Sequence, residues 1–137
     1  MSNDAFKNQL SGLIDPQIGE TSPLEKDDQQ LISAYNEGYN KLSDEEKLLA
    51  FKNIIRNSGR CGFANGGSIQ YLINTDSKNR YRVTIRTYWR SGIYSGQSDR
   101  PFIIEAGSRI FLGCTDSGYI PITYYRREVV GEVKLRN

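Results

Sequence analysis

The run from Arg80 to Arg90, Arg-Tyr-Arg-Val-Thr-Ile-Arg-Thr-Tyr-Trp-Arg, constrains the fold more than any other part of the chain. Tyr81, Val83, Ile85, Thr87 and Trp89 fall on one parity; Arg80, Arg82, Thr84, Arg86, Tyr88 and Arg90 fall on the other. Side chains alternate faces along a strand, so the spacing predicts a strand with one packed face and one basic, wet face. Its non-charged positions are almost all β-branched or aromatic, as a pleated and half-buried surface requires. One strand cannot bury its own apolar side, so the later apolar segments are expected to complete a sheet over it.

Those segments are short and separated by turn residues. Ser68–Asn74 carries Ile69, Tyr71 and Ile73 on one parity, and Thr75–Asn79 reads as the turn into the arginine-rich strand. Residues 91–99 read as a loop, 102–105 and 109–114 as short strands. Pro101 is tolerated at a strand's first or edge position. Residues 119–134, with Pro121 and Gly131, read as an irregular or bulged edge strand. Five to six short strands at this spacing predict an antiparallel β-sandwich or partly open barrel rather than βαβ repeats.

The N-terminal part has helical texture. Ser22-Pro23-Leu24-Glu25 has the residues of a helix start, and Leu24, Leu31, Tyr35, Tyr39 and Leu42 supply a stripe, predicting a helix over about 23–40. Ser43 and Glu46 form a second capping box. Leu48, Leu49, Phe51, Ile54 and Ile55 extend that second helix to a stop at Asn57-Ser58-Gly59. The expected class is therefore α+β: a helical hairpin (22–58) packed on an antiparallel β domain (59–137), the two forming one cooperative unit. Residues 1–21 read as an arm or short helix.

Charge follows the same division. Residues 1–57 carry six Lys or Arg against ten Asp or Glu; residues 58–137 carry twelve against six, and ten of those twelve are arginines. Mutual docking of the two parts or an anionic partner would both account for this. No apolar run approaches the ~20 residues of a membrane span or the 7–15 of a secretory core, so cytoplasmic residence is the default expectation and no membrane partner is implied. On that basis Cys61 and Cys114 are expected to be buried, unreactive thiols rather than a disulfide.

The chain has no histidine. That removes Ser-His-Asp and Cys-His chemistry and the usual zinc ligand sets. No pair of acids is singled out by spacing for glycosidase-like work. Gly62–Gly67 lacks the strand-before-helix context of a dinucleotide loop and the lysine of a nucleoside-triphosphate loop, and reads as tight turns. The expectation is a protein that is not an enzyme, with no cofactor and no metal.

The arginine row is the functional hint. Alternate residues of a strand lie about 6.6 Å apart, so Arg80, Arg82 and Arg86 form a line, with Tyr88 as a stacking ring and Arg90 at its end. Arg and Tyr concentrate in the energetic centres of protein interfaces. Ile93 and Tyr94, between glycines and serines in loop 91–99, add an adaptable apolar contact. The expected role is a protein-binding or assembly module using Arg80, Arg82, Arg86, Tyr88, Arg90, Ile93 and Tyr94, with a homo-oligomer allowed. Single-stranded nucleic acid, or another polyanion, is the alternative partner. A carbohydrate stacked on Tyr88, Trp89, Tyr94 or Tyr119 is a third.

Overall fold

The structure is a computed structural model that describes residues 17–18, 21–61, 67–117 and 121–136. Residues 1–16 and 62–66, on which the short N-terminal helix and most of the glycine-rich turn were expected, lie outside the described residues. In chain order the elements are β1 (Gln17–Ile18), β2 (Thr21–Pro23), α1 (Lys26–Asn40), α2 (Asp44–Leu49) and β3 (Asn53–Arg60). They continue with β4 (Ser68–Asn74), β5 (Tyr81–Ser91), β6 (Tyr94–Ile104), β7 (Ser108–Cys114) and β8 (Thr123–Lys134).

The strands form two four-stranded sheets, β1-β6-β5-β8 and β2-β7-β4-β3. Every pairing is antiparallel except β1 with β6. The fold is thus α+β, an N-terminal helix pair on a mostly antiparallel arrangement that does not close into a barrel. The packed parity of β5 is the expected one: Tyr81, Val83 and Ile85 are buried. They share a core with Phe102 and Ile104 of β6, Leu72 of β4 and Ile110 of β7. At roughly 1.5–3 kcal/mol for each fully buried large aliphatic or aromatic side chain, this inter-sheet layer is the main source of stability.

The strand β4 is buried on both faces, with Leu72 and Ile73 fully inaccessible. Leu72 faces the inter-sheet core, and Ile73 lies in a cross-strand rung with Ile54 and Arg109 on the opposite face. Helix α1 approaches that opposite face, burying Ile32 and Asp28. The Asp28 carboxylate is fully buried. It pairs with Arg56 of β3 and with Arg109 of β7 (3.6 Å), and it accepts the Glu25 N–H at 2.8 Å. Arg109 also reaches Glu25 at 2.6 Å and lies 4.0 Å over the Tyr71 ring.

Three sequence expectations are corrected. The first helix begins at Lys26 with Glu25 as its N-cap, because Ser22 and Pro23 instead pair with Arg109 and Ser108 as part of β2. The second helix is only six residues long. Ala50 already has extended backbone (ψ 134°), and the segment expected to finish the helix becomes β3. Ile54 and Ile55 are β-branched and find Ile73 and Leu72 as cross-strand partners, a gain that outweighs weak local helix propensity. Glu132 fixes the switch point by accepting the backbone N–H groups of Lys52 (2.8 Å) and Asn53 (3.0 Å). Leu48 and Leu49, left without the rest of the stripe, are 86% and 82% exposed.

The third correction concerns the cysteines. Cys61 and Cys114 form a disulfide, with 6.2 Å between their Cα atoms. The pairing follows from topology, since β3 and β7 both flank β4 and bring the two residues to the same end of one sheet. A crosslink closing so long a loop contributes on the order of 2–4 kcal/mol.

Two outcomes follow from these buried groups. Asp28→Ala leaves the buried Arg109 and the half-buried Arg56 short of a shared anion and is expected to cost roughly 3–5 kcal/mol in urea unfolding. Asp27→Ala, at an exposed site 3.8 Å from Arg56, is expected to stay within about 0.5 kcal/mol.

Asp76, in the turn before β5, tests the acid limb. Burial pushes its carboxyl up, but hydrogen bonds from Asn79, the Tyr81 hydroxyl and the backbone N–H groups of Lys78 and Asn79 outweigh that and hold it at about 2. The folded value lies below the ordinary 3.8. Its contribution is therefore complete above about pH 4 and lost as pH falls toward 2. The stability advantage of the wild-type chain over Asp76→Asn, measured by urea titration, is expected to shrink steadily across that interval.

Candidate functional site

The expected loop 91–99 is not a loop. β5 runs to Ser91, Gly92 and Ile93 make a two-residue turn, and β6 starts at Tyr94. Gly92 has φ 60° at the first central position, while no non-glycine residue has positive φ among the described residues. That is the requirement of a type II′ hairpin, whose twist matches the flanking strands. Ser95, Gln97, Ser98 and Asp99 are weak strand formers, but the β5–β6 register is unbroken from Tyr81↔Ile104 to Ser91↔Tyr94. Pairing with a strong strand overrides their local preference.

The resulting end of the sheet stands clear of the core. β5 and β6 are eleven residues long, against seven for β4 and β7. Between Tyr94 and Arg100 only Gly96 is less than exposed. On the inner side of this extension the Trp89 indole lies across its cross-strand partner Gly96. An added Cβ there would stand 2.7 Å from indole atoms.

On the outer side, register assembles three rungs across β8, β5 and β6: Glu128–Arg86–Asp99, Arg126–Tyr88–Gln97 and Tyr124–Arg90–Ser95. Arg86 donates to both oxygens of Asp99, at 2.8 and 3.0 Å. This bidentate pair raises the guanidinium and lowers the carboxyl relative to their ordinary values. The Tyr88 hydroxyl donates to Glu128 at 2.8 Å, and the Arg126 guanidinium stacks 4.1 Å over the Tyr88 ring. Arg90 approaches the Tyr124 ring at 5.7 Å.

The candidate residues therefore divide. Arg86, Tyr88 and Arg90 share one contiguous outer patch, and Arg82 continues it toward the core end as an exposed side chain. Arg80 sits beside the strand start, paired with Glu105 at 3.3 Å. Ile93 and Tyr94 occupy the tip, 93% and 70% exposed. Arg126, which from sequence could widen the arginine row, belongs to the same patch, as do Glu128, Tyr124 and Asp99, which sequence does not single out. Their contribution depends on which residue stands opposite which, and the only signal available was the mixed parity of residues 124–130.

The residue Arg127 faces inward. It donates to Gln70 Oε1 (2.9 Å) and to the Cys114 carbonyl (3.0 Å), and burial lowers its pKa from the ordinary value. Beside it, an apolar cavity of about 350 Å³ opens between Phe51, Ile54, Ile55 and Val129. Among the described residues no group of three or more Cys, Asp or Glu is placed to hold a metal ion. No helix among them is long and apolar enough to cross a membrane. Comparison with protein-family models, with curated proteins and with solved structures finds no match.

Gly96→Val tests the geometry of the extension directly. Its side chain needs the space of the Trp89 ring, and Trp89 is the chain's one tryptophan. Displacing the indole is expected to move the fluorescence emission maximum to longer wavelength in a chain whose circular dichroism still shows the folded sheet.

Proposed function

We propose that this protein is a non-enzymatic protein-binding module that engages its partner through the β5–β6 hairpin tip and the outer arginine–tyrosine face beside it. The observation that carries this reading is the exposure of Ile93 and Tyr94 at the end of a rigid two-residue turn. An aliphatic and an aromatic side chain held out from a paired ribbon lose little conformational freedom on binding, and such anchors dominate interface energetics.

The outer face supports a protein partner more than a polyanion. Its four arginines, Arg82, Arg86, Arg90 and Arg126, stand among two carboxylates, and Asp99 and Glu128 already engage Arg86 and Arg126. A nucleic-acid track depends on several guanidiniums free to meet phosphates. The Tyr88 ring, already stacked by Arg126, is less suited to a base or a sugar than an open ring. The disulfide favours work in an oxidising compartment over the cytoplasmic default.

The test compares quantitative capture of cell-derived binding proteins by the wild-type chain, by Ile93→Asp/Tyr94→Ser, and by a surface control, Lys78→Ala. A specific partner is expected to be lost at least tenfold with the tip variant and kept by the control. Equal capture by all three would overturn the reading. Tight binding of short single-stranded DNA or RNA, falling steeply with salt, would replace it with the polyanion alternative.

A further inference from the structure

Among the described residues, strand β6 has β5 on one side along its whole length and β1 on the other side only at Phe102 and Ile103. From Tyr94 to Pro101 its second edge has no strand partner among those residues. This edge is regular, since the β5–β6 register has no bulge, and β5 and β6 are longer than β4 and β7.

Pro101 reveals which backbone groups the edge presents. Proline has no N–H, so in an unbroken ladder its nitrogen belongs on the side away from β5. Backbone direction alternates along a strand, so Ser95, Gln97 and Asp99 share that parity and turn their N–H and C=O groups outward. Arg100, Ser98, Gly96 and Tyr94 turn theirs toward β5. The outward row is short and ends at Pro101.

We infer that this edge pairs antiparallel with the same edge of a second copy, about a twofold axis through Gln97, to make one continuous sheet. Three features select that register. It sets outward groups against outward groups, Gln97 against Gln97 and Ser95 against Asp99 in both directions, and each such pair exchanges both of its backbone hydrogen bonds. It uses Tyr94–Arg100 entirely and stops short of Pro101 and β1. A shift of two residues toward β1 sets Ser95 against Pro101, which lacks a donor.

Side chains fit the same register. Ser95 faces the Asp99 carboxylate, Tyr94 faces the Arg100 guanidinium, and Gly96 faces Ser98, with no like charges directly opposite. The second copy replaces a set of edge groups that natural sheets otherwise cover or blunt. Opposed residues of a pair point to the same face, so the two outer arginine–tyrosine patches come to lie side by side. The two sandwich bodies extend in opposite directions from the axis. The inference rests on the edge and does not depend on the partner proposed for the tip, although Tyr94 belongs to both surfaces.

The test is sedimentation equilibrium of the purified chain from micromolar to millimolar concentration. A monomer–dimer equilibrium is expected for the wild type. Gln97→Pro, which removes an outward donor as Pro101 does, is expected to weaken it at least tenfold. Two further variants read the register itself. Ser95→Lys, opposite Asp99, is expected to tighten the dimer, and Ser95→Asp to loosen it, each about threefold or more. Within one chain Ser95 stands beside Arg90, where lysine is the less favourable and aspartate the more favourable. A folding effect would therefore have the reverse sign. A wild-type chain that remains monomeric throughout, or Ser95 variants that do not split in this direction, would overturn the inference. Partner capture by the tip is read separately and does not bear on it.

Discussion

The carboxylate of Asp28 is the constraint on which the arrangement of layers depends. A fully buried anion is tolerable only where cations and donors meet it at close range, and here they come from β3, β7 and the helix's own first turn. β3 and β7 lie on either side of β4, so one side chain ties helix α1 across the middle of its sheet. The helix can then cover Ile73, and β4 can be apolar on both faces. Removing the anion would leave Arg109 with only the exposed Glu25 and Arg56 with only the exposed Asp27, a larger loss than the ion pair itself contributes.

The same principle recurs between the sheets. Glu132 on β8 takes the N–H groups at the start of β3, and Arg127 on β8 takes oxygen atoms from β4 and β7. Charges that composition alone would assign to a solvated or ligand-binding surface instead form internal ties. The basic excess of residues 58–137 is correspondingly less available to a partner than its size suggests. What remains at the outer face is a ladder in which Arg86 and Arg126 have acidic neighbours and Tyr88 and Tyr124 have arginines beside them. With two of its four arginines already paired to carboxylates, such a ladder is a better base for a protruding contact than an electrostatic trap.

Much of the β domain was legible because period-two alternation is local. Tyr81, Val83 and Ile85 declared their burial without knowledge of any partner, and Gly131 announced the irregularity seen where β8 shifts register against β5. The second helix was misjudged for the opposite reason. Leu48, Leu49, Phe51, Ile54 and Ile55 fit a helical stripe, yet the competing strand is stabilised by Leu72 and Ile73, some 20 residues away. Residues 91–99 read as a loop because the strand character of Tyr94–Asp99 comes wholly from β5. For the candidate site, Arg86, Tyr88 and Arg90 could be placed on one face from spacing. Glu128, Tyr124 and Asp99 joined them only through cross-strand register.

The sequence by itself determined that this chain builds an α+β domain, that β5 has one apolar and one arginine-bearing side, and that histidine-dependent chemistry is closed to it. These are properties of spacing and composition, set within a few residues of chain. Tertiary structure decided the rest: which arginines are buried, that Cys61 and Cys114 meet, and that the hairpin tip is exposed and the outer part of the β6 edge has no strand partner among the described residues. Each of those depends on groups distant in sequence competing for the same space, and no local pattern records the outcome.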